Sequence, residues 1–300
     1  MLLSSLEELN YLTGSVGATL GFAVSIILLV ANKEESLSRK LLSGLIFCLS
    51  LFSLSYALVG TQFYIRNPHA WRFSAVFSGF TPPILYLYVR SLIQQEFRLR
   101  PFDSLLFIPG VLLFIHFLPF YLLSGEEKRV IIERMFNNKK LALIEVDGMF
   151  PSGAGMIIRS LTGLSFTSLA IFQVFKYKNS SCLNEESNTI QNQGIIKWLY
   201  FLLTCVLFSY LLLILWNFLG ISSKIEFFVA IGFTTAGLIF VICVYLFLQP
   251  NILYGLQGWA NRPVESPIYH TPNQISINQQ LRDESVSSFS TEMQVQMRTI

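Results

Sequence analysis

Phe80-Thr81-Pro82-Pro83-Ile84-Leu85-Tyr86-Leu87-Tyr88-Val89-Arg90 lies in the middle of an apolar run from Trp71 to Ile93. Each proline lacks an N–H and crowds the preceding turn, so a helix here is expected to kink or open. In lipid such a break is tolerated only where neighbouring helices or local backbone adjustments re-satisfy the freed carbonyls. The run therefore predicts a helix packed inside a bundle, with Tyr86 and Tyr88 just past the break.

The rest of the chain supplies that bundle. It is 53% hydrophobic and 13% charged, with 27 Phe and a mean hydropathy of +0.55. A soluble domain carries about 25% charged residues. Seven stretches have the about 20 mostly apolar residues that a span needs: Tyr11–Ala31, Leu41–Tyr64, Trp71–Ile93, Ser104–Leu123, Gly153–Phe175, Trp198–Leu219 and Phe227–Leu248. The expected fold is all-α: a polytopic membrane protein with a seven-transmembrane-helix bundle over 11–249. Residues 1–10 form a short outside N-terminus. They carry Glu7 and Glu8 and no Lys or Arg, and no small-residue cleavage site follows the first run, which reads as a retained helix.

Lys and Arg set the orientation. With the N-terminus outside, the inner connections hold Lys33, Arg39 and Lys40, then Arg90, Arg98 and Arg100, then Lys176, Lys178 and Lys197. The outer side holds Arg66, Arg72, Lys224 and a long loop, 124–152, where five positives mix with five carboxylates. The bias favours N-out, C-in, hence a multi-pass protein with a cytoplasmic C-terminus. Trp198 and Trp216 stand about 27 Å apart along a helix, which suggests anchors at both interfaces. Val130-Ile131-Ile132 and Met135-Phe136 suggest a short amphipathic helix on the outer membrane surface, or an ordinary folded loop.

Beyond Gln249-Pro250 the chain becomes rich in Ser, Asn, Gln and Pro. Residues 250–300 read as a cytoplasmic linker, polar and expected to be disordered. Its last dozen residues differ, because Phe289, Met293, Met297 and Ile300 recur at helical spacing.

Each candidate site residue has a plain reading and a sharper one. Gly14, Gly17 and Gly21 allow close helix approach, within the bundle or in a homodimer. His116, mid-span, is a neutral group bonded to a neighbouring helix, or a ligand or proton carrier. Arg159 snorkels to the outer interface, or marks an inward cavity able to hold an anionic group. Tyr210 and Asn217 suggest interhelical hydrogen bonds. Tyr86, Tyr88 and Arg90 line a pocket below the proline break, or serve as ordinary bundle and interface residues.

No catalytic constellation is present. There is no H-E-x-x-H, no G-x-S-x-G, no C-x-x-C and no Cys/His spacing for zinc. Asp and Glu are absent from the interiors of the seven spans, which argues against an ion-coupled transporter. The chain is not expected to be an enzyme, or to carry a metal or cofactor. Its expected partners are the lipid bilayer and a small-molecule or membrane ligand of unstated identity.

Three stretches resemble a known family: Pro82-Pro83-x-x-Tyr86-x-Tyr88-x-x-Ser91-Leu92, Arg100-Pro101-x-Asp103-x-Leu105-x-Phe107-Ile108-Pro109, and Gln249-Pro250-Asn251-Ile252-Leu253-Tyr254-Gly255-Leu256. With seven helices, the chain is similar to the membrane sensor region of AraC-type regulators of Bacteroidetes-like bacteria. The resemblance implies a seven-helix sensor, a linker and a cytoplasmic helix-turn-helix DNA-binding domain. That effector domain is missing from these 300 residues, so DNA is a partner only through a segment not present. The resemblance implies a signal-transduction module in the bacterial inner membrane; its expected switch is the third span, because a helix without its full hydrogen-bond ladder at Pro82 and Pro83 has more than one cheap geometry. The alternatives are a small transporter, a structural membrane partner, or the sensor half of a seven-helix histidine kinase.

Overall fold

The computed structural model describes residues 2–30, 36–96, 98–181, 190–222, 227–249 and 252. The chain divides into two units, Met1–Gly255 and Leu256–Ile300, and every described residue belongs to the first. Apart from Ile252, the expected linker at 250–300 lies outside the described residues, as does the helical spacing of Phe289, Met293, Met297 and Ile300.

Among the described residues the regular structure is helical: α1 (Leu2–Val30), α2 (Leu37–Val59), α3 (Phe63–Arg66), α4 (Phe73–Gln94), α5 (Ile108–Leu122), α6 (Gly125–Asn137), α7 (Lys139–Leu143), α8 (Ala154–Ser181), α9 (Ile190–Ser222) and α10 (Phe227–Leu248), with 3-10 turns at Pro68–Ala70 and Pro101–Phe107. Leu2–Asn10, expected as a tail, forms the first turns of α1. The second expected span ends early, at Val59, and Tyr64 belongs to α3.

Among the described residues six helices are long and apolar enough to cross a membrane: Ser5–Val30, Leu37–Val59, Pro101–Leu122, Ala154–Asn179, Gly194–Leu219 and Phe227–Leu248. The chain is thus a multi-pass, all-helical membrane protein. The proline-bearing α4 is not among the six. Ser74, Ser78, Thr81, Arg90, Ser91 and Gln94 dilute its apolar residues. Its surroundings explain how they are tolerated. Thr81, Pro82, Pro83, Arg90 and Ser91 are buried, and α2, α8 and α5 pack around the helix. Polar groups in a membrane protein are accommodated where they face the bundle interior.

The expected opening at the prolines is also corrected: α4 runs unbroken from Phe73 to Gln94. Thr81 Oγ1 donates to the Phe77 carbonyl at 2.9 Å. At Gly79 the α5 backbone at Gly110 approaches so closely that a Cβ would overlap it. The turn preceding the prolines is braced by its neighbour.

Helix pairing follows from polar contacts. Ser25 meets Ser43, with Oγ–Oγ at 2.9 Å; Ser53 Oγ donates to the Gly14 carbonyl at 2.9 Å; Asn10 Nδ2 donates to the Tyr56 carbonyl at 3.1 Å. Partners descend α1 as they ascend α2, so the two are antiparallel. A Cβ on Gly14 would meet Ala57, on Gly17 Ile239 and Ser53, and on Gly21 Ser50 and Ile239. The glycine stripe is taken up inside the chain, against α2 and α10. Gly17→Leu is expected to cost about 1–3 kcal/mol through overpacking. Thermal unfolding of purified protein checks this, with the oligomeric mass expected to stay constant.

Two apolar clusters form the core. One joins Leu28, Leu42, Leu85, Tyr88, Trp198 and Leu246; the other joins Tyr64, Trp71, Phe120, Ile132, Met135 and Phe228. Trp198 is therefore not a lipid-interface anchor. It is fully buried, donates from Nε1 to Tyr88 Oη at 2.7 Å and stacks on Tyr245 at 5.1 Å. Trp216 donates to Thr234 Oγ1 at 3.2 Å and packs beside the second cluster. A buried indole with a hydrogen-bond partner is as stable in a core as at an interface.

The amphipathic stretch forms α6, begun by a Ser124–Glu127 capping box. Its apolar face is not laid on the membrane. Ile132 and Met135 are fully buried in the second cluster, so α6 covers that end of the bundle.

Candidate functional site

The loop between α7 and α8 carries Glu145-Val146-Asp147-Gly148. It folds inward. Gly148 lies so close to His116 of α5 that a Cβ would overlap the imidazole. Met149 N–H donates to the His116 carbonyl at 2.7 Å, and Phe150 N–H donates to His116 Nδ1 at 3.1 Å. The Phe150 ring stacks on the imidazole at 5.2 Å. Because Nδ1 accepts, the ring proton is inferred to sit on Nε2. Nε2 lies 3.5 Å from Glu145 Oε2, longer than an ordinary N–H···O hydrogen bond, and neither atom has a hydrogen-bond partner among the described residues.

The side chains of Glu145 and Asp147 are both buried and both face arginines. Arg72 Nε and Nη2 grip Asp147 at 2.9 and 2.8 Å, and Nη2 also donates to the Ala142 carbonyl at 2.8 Å. Arg72 Nη1 lies 3.7 Å from Glu145. Arg159 of α8 pairs directly with Glu145. The Arg72 guanidinium also lies over the rings of Trp71 and Phe117, at 5.3 and 5.1 Å. Two positive and two negative side chains thus form a nearly balanced cluster beside a buried imidazole. Burial alone would raise the Glu145 carboxyl; the Arg159 charge, the His116 contact and the Arg72 charge more than offset it and hold it down to about 2.

The backbone is strained at the same place. Arg72 has φ 65° and Glu145 φ 54°, the left-handed region that costs a non-glycine residue about 1–3 kcal/mol. Such conformations persist only where surrounding contacts over-determine them, and they concentrate at functional sites.

Beside the cluster, at the seam between the two apolar clusters, is a cavity of about 180 Å³. Pro82, Ser78 and Leu85 of α4 form one wall, with Tyr56 of α2, Arg159 and Ser160 of α8, Tyr210 and Asn217 of α9, and Trp71 and Arg72 also lining it. Arg72 and Arg159 are its charged lining residues; the two carboxylates lie behind them. Trp71 Nε1 is buried and has no hydrogen-bond partner among the described residues. The cavity wall thus offers basic groups and hydroxyls within a mostly apolar shell, the usual make-up of a small-molecule site.

Of the candidates taken from the sequence, Pro82 and Arg159 line this cavity, and His116 stands behind Arg159 through Glu145. Pro83, Tyr86 and Tyr88 do not line it. Tyr86 Oη accepts from Gln173 Nε2 at 2.9 Å, and Tyr88 is spent on Trp198. Among the described residues the side chains of Tyr210 and Asn217 make no interhelical hydrogen bond; both line the cavity, with the Tyr210 ring against Gly163. Arg90 sits at the other end of α4, held by Asp103 at 2.7 and 2.5 Å and by Glu96 at 2.9 Å.

Sequence reasoning missed Tyr56, Trp71, Arg72, Glu145 and Asp147. It counted Arg72 as an outer-loop positive and the two carboxylates as loop charge. The spans lack carboxylates, as read from the sequence, and the loop brings two carboxylates against the bundle. The signal that was available is the Glu-x-Asp-Gly at 145–148 in a loop otherwise flanked by apolar runs. Comparison with family models, with curated proteins and with solved structures gives no match.

Proposed function

We propose that this chain is the membrane-embedded sensor of a one-component transcriptional regulator, as its resemblance to AraC-type membrane regulators implies. The observation that carries the reading is the cavity walled by α4 at Pro82, the first of its paired prolines. A ligand there touches the helix whose hydrogen-bond ladder is incomplete, because Pro82 and Pro83 leave the Ser78 and Gly79 carbonyls without their helical donors. An element with more than one accessible geometry is what a two-state switch requires. On this reading α4 crosses the bilayer as a seventh span, the N-terminus lies outside, and α10 passes the bias to a cytoplasmic effector that binds DNA.

The test uses full-length protein and a transcriptional reporter. The double substitution Pro82→Ala/Pro83→Ala restores two N–H donors and is expected to lock output at one level, with expression unchanged. Unaltered ligand-dependent output removes α4 as the switch. The buried Glu145, Asp147 and His116 beside a cavity favour a transporter as the second reading, which flux into proteoliposomes separates from the first.

A further inference from the structure

We infer that the cavity takes a small apolar monocarboxylate, with a carboxylate head on Arg159 and a hydrocarbon or aromatic body of roughly six to ten heavy atoms in all. The inference rests on the sensor reading only for its consequence, not for its chemistry.

Size comes first. A dry cavity of about 150 Å³ holds a benzene ring, and this one is about 180 Å³. That space admits a ring or a short chain plus one small head group. Shape of the wall comes second. Leu45, Leu49, Phe52, Val206, Leu213 and Ile231 supply an apolar surface, which would leave a sugar's hydroxyls without partners.

Charge decides the head group. The charged lining residues are Arg72 and Arg159. Arg72 has Nε and Nη2 committed to Asp147 and Ala142. Arg159 gives Nη2 to Glu145; among the described residues its Nε and Nη1 make no hydrogen bond, and its side chain keeps 25% of its surface. Arg159 therefore keeps N–H donors at Nε and Nη1, each able to give a charge-assisted hydrogen bond to one carboxylate oxygen. Arg72 is fixed nearby as a positive charge. Asp147 and Glu145 already balance the two guanidiniums, so each added carboxylate is charge in excess within an apolar shell, which favours one carboxylate over two. The Tyr56 hydroxyl, also on the wall, has no hydrogen-bond partner among the described residues and adds a neutral donor.

The experiment uses the purified wild-type chain in nanodiscs, with the thermal unfolding midpoint read against increasing benzoate, hexanoate, benzyl alcohol and benzylamine. A bound ligand raises the midpoint saturably. Benzoate and hexanoate are expected to do so at concentrations about ten- to a hundredfold below benzyl alcohol, the range a charge-assisted hydrogen bond supplies. Benzylamine is expected to give no saturable rise. Arg159→Gln is expected to erase the preference of benzoate over benzyl alcohol, and Ser160→Leu, which fills the cavity, to erase the benzoate shift. Absence of a benzoate shift, an equal response to acid, alcohol and amine, or an unchanged preference in Arg159→Gln overturns the proposal. If Arg159→Gln does not fold, a benzoate shift retained in Ser160→Leu overturns it instead. Binding without any reporter response in the full-length protein leaves the ligand class standing and removes the sensor reading; a reporter that responds to other compounds while benzoate does not bind does the reverse.

Discussion

Glu145→Ala is expected to lower the unfolding free energy by about 3–5 kcal/mol, the usual loss when one partner of a buried ion pair is removed. Glu145 has a fully buried side chain, faces Arg159 and Arg72, and lies 3.5 Å from His116 Nε2. Deleting it leaves guanidinium charge facing a cavity with no compensating carboxylate of its own. Arg72 keeps Asp147, and Arg159 retains some exposure, so the loss falls toward the lower end of that range. Glu145→Gln keeps the shape and loses the charge, and is expected to cost less. The double substitution Glu145→Gln/Arg159→Gln is expected to recover part of the loss, with a coupling of about 1–3 kcal/mol. Unfolding of the single and double variants in detergent measures it. The pH dependence has a definite sign. A carboxyl held down from 4.5 to about 2 contributes stability that is present above 4.5 and lost as pH falls toward 2. Wild type is expected to lose stability across that window more steeply than Glu145→Gln.

Asp103→Ala is the second large effect, about 2–3 kcal/mol, from charged hydrogen bonds and a lost turn cap together. Asp103 receives both terminal nitrogens of Arg90, at 2.7 and 2.5 Å, and the Arg100 backbone N–H at 2.8 Å. It joins the last turn of α4 to the turn that opens α5. Covered though it is by side chains, the pair sits at the end of the bundle, where Glu96 also holds Arg90 at 2.9 Å. That second partner keeps the loss below the full cost of a stranded charge. Glu96→Ala is expected to cost less than 1 kcal/mol, because Asp103 keeps its grip. A loss in Glu96→Ala equal to that in Asp103→Ala would make Glu96 the main partner.

The apolar runs made the helices legible, because length and hydropathy answer to the same lipid thickness; Phe227–Leu248 coincides with α10. The prolines located the helix that walls the cavity. Trp198 misled because an indole serves a core as well as an interface. Glu145, Asp147 and Arg72 were illegible for a related reason: spacing in a loop does not say which charges fold inward. That depends on Gly148 meeting His116 across 32 residues, a contact no local pattern encodes. Arg100-Pro101-x-Asp103 carried a resemblance in the sequence; in the fold it is the clamp on Arg90.

The most direct measurement is to read the coding DNA downstream of the codon for Ile300. An open frame encoding two helix-turn-helix units is the result this account predicts, and it makes α1–α10 the sensor of a one-component regulator. A stop codon there, with no such coding sequence adjoining, contradicts it and leaves the cavity to a transporter or a membrane partner.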